Sequence, residues 1–189
     1  MIIGICGKSG SGKSTFAKEM CKEWKEKTNI ESAHLDMDKV GHQVLFLPEV
    51  KDEVVNLLGK DVLTDGELDR KKIGKIVFNS KEVYEVYQNI IWKYMKIYID
   101  DFLEKNKDKT IFLDAIKLHE TEYFDMCNLK ILLDIPYEIR KERAMIRDNI
   151  TAEQFDLREQ ASCDYNPYDF NLICDMNGPR YVELPEMIK

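Results

Sequence analysis

Gly7-Lys8-Ser9-Gly10-Ser11-Gly12-Lys13-Ser14 completes a GxxxxGK[ST] pattern directly after the apolar run Ile2, Ile3, Ile5 and Cys6. Glycines at this spacing let successive backbone N–H groups wrap phosphate oxygens, the lysine reaches the outer phosphates, and the next hydroxyl can ligate a divalent cation. Lys8, Ser9, Gly10, Ser11, Gly12, Lys13, Ser14 and Thr15 are therefore the candidate nucleotide-binding residues, with Lys13 also catalytic and Ser14 the candidate Mg²⁺ ligand. ATP and Mg²⁺ are the expected cofactors. The pattern alone does not separate a kinase from a regulatory switch or a motor.

Further residues narrow the chemistry. Asp36 and Asp38 lie at the end of a stretch in which Ala33, Leu35 and Met37 alternate as apolar positions. If extended, their i, i+2 spacing would put both carboxylates on one side of the chain. One would then accept a proton from an acceptor hydroxyl while the other orders Mg²⁺-bound water. Arg140, Lys141, Arg143, Arg147 and Arg158 form a basic region that can cover phosphate oxygens and exclude water. Arg147 is the catalytic candidate among them because it adjoins a break in the helical pattern. Arg70, with Lys71 and Lys72, is a weaker candidate for an anionic acceptor, and Asp114 and Glu120 flank the end of a predicted strand. His34, His42 and His119 have no metal-ligand spacing, so no zinc site is expected.

These residues need elements to position them. Thr15 to Lys27 carries Phe16, Met20, Cys21 and Trp24 on one helical face, so the loop lies between strand and helix, the context such a pattern requires. Glu31 to Met37 reads as a second strand. From Val40 to Lys107 the pattern is helical, with Val83, Val86, Tyr87, Ile90, Ile91, Tyr94, Ile97 and Tyr98 in a broad apolar stripe. Asp65-Gly66 signals a turn, and Asp69 a helix cap. Thr110 to Ala115 and Leu129 to Asp134 read as buried parallel strands, each ending near an acidic residue. Pro136 can start a helix, and Thr151 with Gln154 forms a capping box for the next one. Phe170 to Cys174 reads as a last strand, and Asn177-Gly178-Pro179 as a turn.

Composition excludes several classes. With 44% hydrophobic and 33% charged residues the chain is expected to fold, and a formal charge of −7 argues against a general nucleic-acid binder. Five cysteines, at 6, 21, 127, 163 and 174, give an odd count without CxxC spacing, which fits reduced thiols and a cytoplasmic setting. Neither a signal peptide nor a membrane span is expected. The expected partner is a small-molecule acceptor. Oligomeric state is open.

In order and spacing these segments resemble the dephospho-coenzyme A kinase family. The resemblance rests on the loop from Gly7 to Thr15, Leu35-Asp36-Met37-Asp38 with Gly41-His42-Gln43-Val44, and Leu68-Asp69-Arg70 with Ile76-Val77-Phe78. It continues through Arg147-Asp148-Asn149-Ile150-Thr151, Arg158 with Gln160, and Cys174-Asp175-Met176-Asn177-Gly178. It implies transfer from ATP with Mg²⁺ to the ribose 3′-hydroxyl of dephospho-coenzyme A. It further implies Asp38 as catalytic aspartate, Arg147 as lid arginine, Arg70 on the substrate side and Asn177 near the adenine. Asp36 and Glu120 join Arg70 as expected substrate-side residues. Two segments depart from the family pattern: Trp92-Lys93 stands where the family has a His-Pro pair, and Ile116-Lys117-Leu118-His119-Glu120 where it has Pro-Leu-Leu-Phe-Glu.

The expected architecture is a three-layer α/β P-loop NTPase fold with a parallel sheet. Residues 1–39, 108–136 and 162–189 would form the nucleotide-binding core, 40–107 a helical acceptor-binding insertion, and 137–161 a helical lid. A nucleoside or nucleotide kinase of the same class, or a non-catalytic ATP-binding regulator, is the alternative.

Overall fold

Alternation gives way to continuous apolar runs where a strand is covered on both faces, and the opening run behaves this way. Ile2–Cys6 forms strand β1, with Ile3, Ile5 and Cys6 completely buried. In the computed structural model, which describes residues 1–160 and 162–175, the chain continues with α1 (Lys13–Thr28), β2 (Ser32–Asp36), α2 (Met37–Gln43) and α3 (Pro48–Leu58). A short hairpin, β3 (Leu63–Thr64) and β4 (Glu67–Leu68), precedes α4 (Arg70–Val77) and the long α5 (Lys81–Lys105). Then come β5 (Thr110–Asp114), α6 (Glu122–Asp125), β6 (Leu129–Leu133), α7 (Tyr137–Asp148), α8 (Ala152–Gln160) and β7 (Leu172–Cys174).

The chain divides into two compact units, one built from Met1–Asp36 and Lys105 onward, the other from Met37–Glu104. The first holds a wholly parallel sheet in the order β2-β5-β1-β6-β7. This is the mixed α/β, parallel-sheet architecture expected from the sequence. Helix α1 lays Phe16, Met20 and Trp24 against Ile3, Ile5, Phe112 and Ile131, with the Trp24 and Phe112 rings 6.1 Å apart in an edge contact. Each such side chain contributes about 1.5–3 kcal/mol by leaving water.

Register brings the chemistry to one edge. Asp36 and Asp114 are paired residues at the carboxyl ends of β2 and β5, and Ile5 of β1 also pairs with Asp114. Paired residues on parallel strands point to the same face, as do His34 and Asp36 two residues apart. Three polar side chains therefore share one face beside the loop that follows β1.

In the second unit, Asp65 and Gly66 both have positive φ, 51° and 81°, the backbone of a tight β3–β4 hairpin. Asp69 caps α4, accepting from the Lys71 and Lys72 amides at 2.8 and 3.3 Å. The apolar stripe on α5 is less buried than its pattern implies. Of the expected positions only Ile91 is fully buried, Ile99 joins it, and Val86, Ile97 and Tyr98 are exposed. Among the described residues no helix is long and apolar enough to cross a membrane.

The break between α7 and α8 is built as the sequence implies. Asn149 takes the left-handed conformation that ends α7. Thr151 N–H donates to Gln154 Oε1 at 3.0 Å while the Gln154 N–H donates to Thr151 Oγ1 at 3.3 Å. One expectation fails at β2. Asp36 ends the strand but Asp38 lies in the first turn of α2, so the chain is not extended between them and the same-side argument does not hold.

Candidate functional site

The Ser14 hydroxyl lies 2.9 Å from Asp36 Oδ2 and 2.9 Å from Asp114 Oδ2. A hydroxyl has one proton, so it donates to one carboxylate while the other meets it acceptor to acceptor. Three converging oxygens of this kind form a donor set suited to a small, hard cation. Asp114 has no exposed surface and is held on its other side by the His34 imidazole. Asp36 thus joins Ser14, although the sequence reading groups it with the substrate-side residues.

The loop before Ser14 is shaped for anions. Gly10 and Gly12 have φ of +80° and +90°, and a Cβ on Gly10 would sit 2.2 Å from the Arg140 carbonyl oxygen. Helix α1 starts with neither a side-chain cap nor an acidic residue in its first turn, which leaves its dipole and first amides facing the loop. The Ser11 hydroxyl is buried without a hydrogen-bond partner, and Lys13 is buried as well. An orphaned buried hydroxyl in such a loop fits a phosphate oxygen.

Helices α7 and α8 grip the same loop through charges. Arg140, only 5% exposed, donates to Glu159 at 2.8 and 2.7 Å, to the Ser9 carbonyl at 3.3 Å and to the Ile135 carbonyl at 2.9 Å. Lys8 bridges Glu159 at 3.3 Å and Asp164 at 3.1 Å. Desolvation pulls the Lys8 pKa down, but the two carboxylates outweigh it and hold the ammonium above its ordinary value. The Arg140 guanidinium correspondingly holds Glu159 below the usual carboxylate range.

Other predicted residues sit as follows. Arg147, whose side chain is 61% exposed, makes a two-point contact with Asp148, and Arg158 donates to the same carboxylate at 2.6 Å. Arg147 and then Arg158 lower the Asp148 pKa to about 2. Besides Arg140, Arg143 also approaches the loop, its Nη1 lying 4.0 Å from where a Gly12 Cβ would stand. Arg70 opens α4, exposed, after the Asp69 cap. Glu120 ends a 3-10 turn after β5 and pairs with Lys117 at 3.3 Å. Asp38 is half-buried in α2. Asn177 lies outside the described residues.

Sequence reasoning missed the Lys8–Glu159–Arg140 network and the nearness of Arg143. Arg140 and Arg143 were visible as cations, but which faces the loop depends on how α7 packs. For Glu159 and Asp164 the sequence carries no signal beyond a charged helix end.

Comparison with known proteins gives the family. The sequence profile of the dephospho-CoA kinase family matches residues 1–166. The chain belongs to that family. Its reaction is the ATP-dependent phosphorylation of dephospho-CoA to CoA, a phosphoryl transfer to an alcohol. The chain is 30% identical over 154 residues to a dephospho-CoA kinase of Fusobacterium nucleatum, covering 81% of this chain and 76% of that one. It is 31% identical over 194 residues to one from Dehalococcoides mccartyi, covering 100% and 94% of the two chains. A crystal structure from Thermus thermophilus superposes with a TM-score of 0.78 at 22% identity, over 100% of this chain and 95% of that one. A dephospho-CoA kinase from Campylobacter jejuni gives 0.56 at 19% identity, over 100% and 98%. Both structures share the α/β P-loop kinase fold seen here.

Proposed function

We propose that this chain moves the γ-phosphoryl group of ATP to the ribose 3′-hydroxyl of dephospho-CoA, releasing ADP and CoA, with the residue roles that follow. The observation that carries the assignment of roles is the convergence of Ser14, Asp36 and Asp114 beside a glycine loop that runs into a helix start with no side-chain cap. Lys13, the Ser11 hydroxyl and the amides from Lys8 to Thr15 bind the ATP phosphates. Ser14, Asp36 and Asp114 would hold Mg²⁺, which when bound neutralises charge on the phosphate oxygens. Asp38 takes the proton of the 3′-hydroxyl as its oxygen forms a bond to phosphorus and the bond to the ADP oxygen breaks. Arg147 leaves Asp148 and covers charge on the transferred group, a role open to it because it sits at the α7–α8 break. Arg70 and Glu120 orient the acceptor, and Asn177 contacts the adenine.

In this reading residues 40–107 bind the acceptor, 137–161 act as the lid, and the remaining core binds the nucleotide. The enzyme works on a small molecule in the cytoplasm. The test is ADP release from ATP and Mg²⁺ with dephospho-CoA, beside the common nucleosides and nucleoside monophosphates, with product mass checked. Selective formation of CoA is expected. Transfer only to another acceptor would overturn the acceptor assignment, and no transfer at all would favour an ATP-binding regulator.

A further inference from the structure

Two segments far apart in sequence meet behind the loop. Tyr165 donates its hydroxyl proton to the Ile116 carbonyl at 2.7 Å, and the Cys163 thiol donates to the same oxygen at 3.5 Å. The rings of His119 and Tyr165 lie 4.8 Å apart. These contacts bring a ring nitrogen of His119, the Cys163 sulfur and a Glu120 carboxylate oxygen within 4.8 Å of one another. His119 Nδ1 is buried and has no hydrogen-bond partner, while Nε2 faces the Glu120 carboxylate at 3.9 Å.

A buried ring nitrogen with no partner is costly unless something uses it. The side chains gathered around the His119 ring are a thiol and a carboxylate, so the donor set is sulfur, nitrogen and oxygen. Mg²⁺ and Ca²⁺ prefer oxygen alone, whereas such a mixed set suits Zn²⁺ and its analogue Co²⁺. We infer that His119, Glu120 and Cys163 form a site for a borderline-soft divalent cation of the Zn²⁺ type, separate from the oxygen site at Ser14, Asp36 and Asp114. The cation ties the segment after β5 to the segment after α8. Cys163 binds as thiolate and loses its proton to solvent. Glu120 swings from Lys117 to complete three protein ligands through one carboxylate oxygen, which leaves its other oxygen for the acceptor role proposed above, and solvent takes the fourth position. The absence of regular spacing among the histidines does not forbid this, because the ligands converge only in the fold.

The test titrates the reduced full-length protein with Co²⁺ in saturating Mg²⁺, so that the oxygen site does not contribute and no activity is needed. A thiolate-to-cobalt absorption band in the near ultraviolet should rise to one equivalent, and Zn²⁺ should abolish it. Cys163→Ser should lose the band, and His119→Gln should weaken Co²⁺ binding by more than about tenfold, as loss of a ligand outweighs loss of an outer partner. Metal-free melting of both variants, compared with the parent, checks that each folds, and either folded variant suffices. Absence of the band in the parent protein, or its persistence in folded Cys163→Ser, would overturn the site.

Discussion

Two helices, one in each unit, start in opposite ways. Helix α4 closes its own N-terminus, since the Asp69 carboxylate takes the Lys71 and Lys72 amides and also the Thr64 hydroxyl at 2.8 Å. Helix α1 has no such cap, and its preceding glycines turn the chain so that the amides face a loop with an orphaned serine hydroxyl. Capped amides stabilise a helix, whereas uncapped amides are free to bind an anion. The same contrast holds for charge. Around the loop, Arg140 and Asp114 are buried and held from several sides, while in the second unit pairs such as Lys93–Glu53 at 2.8 Å lie at the surface and contribute little. Buried, multiply held charges are concentrated around the loop proposed to bind phosphate.

The largest expected effect tests the proposed base, which belongs to the second unit. Asp38→Asn should lower turnover by roughly 10²–10⁴-fold while ATP binding, measured at equilibrium, is retained. Undiminished turnover would remove Asp38 as the base and confine the chemistry to the first unit.

Asp114→Asn sharpens the other side. It keeps the shape but removes a carboxylate that faces both Ser14 and His34. Turnover should fall roughly 10–100-fold and recover in part at high Mg²⁺, as for a group that supports a metal site. Loss that is indifferent to Mg²⁺ would show that Asp114 serves the sheet edge alone.

Two glycines with similar backbones then separate crowding from strain. Gly10→Ala meets the Arg140 carbonyl at 2.2 Å and should cost about 1–3 kcal/mol in urea unfolding. At Gly66, with φ +81° and nothing within 4 Å, alanine should cost only about 1 kcal/mol. Equal losses would mean that α7 yields to the new methyl group.

The smallest effect is in acid. Asp148 has its pKa lowered from 3.8 to about 2, chiefly by Arg147. A depressed carboxyl pKa means that the stabilisation is present above the unfolded value and disappears as pH falls from 3.8 toward about 2. Asp148→Asn should remove that part of the acid dependence, visible as a flatter melting temperature against pH. An unchanged profile would show that the Asp148 carboxylate gains nothing from its two arginines.

Much of the fold was legible because it depends on local rules. Strand β1, the glycine loop and α1 follow from apolar runs, glycine geometry and a helical face. Asp69, Asp65-Gly66 and Thr151 with Gln154 each act within a few residues of themselves. Errors arose where distant packing decides. Asp36 and Asp38 look like one extended pair, yet α2 begins between them because the chain turns into helix at Met37. The apolar stripe of α5 identified a helix but overstated its burial, since periodicity reports which face is apolar and not how much of it is covered.

By itself the sequence determined a phosphate loop between strand and helix, the caps and turns, and the family pattern, because each depends on residues close together in the chain. Only the tertiary structure decided which carboxylates meet Ser14, that Arg140 and Glu159 clamp the loop, and that His119, Glu120 and Cys163 share one place. Strand register and helix packing join residues tens of positions apart, and no local spacing encodes that distance.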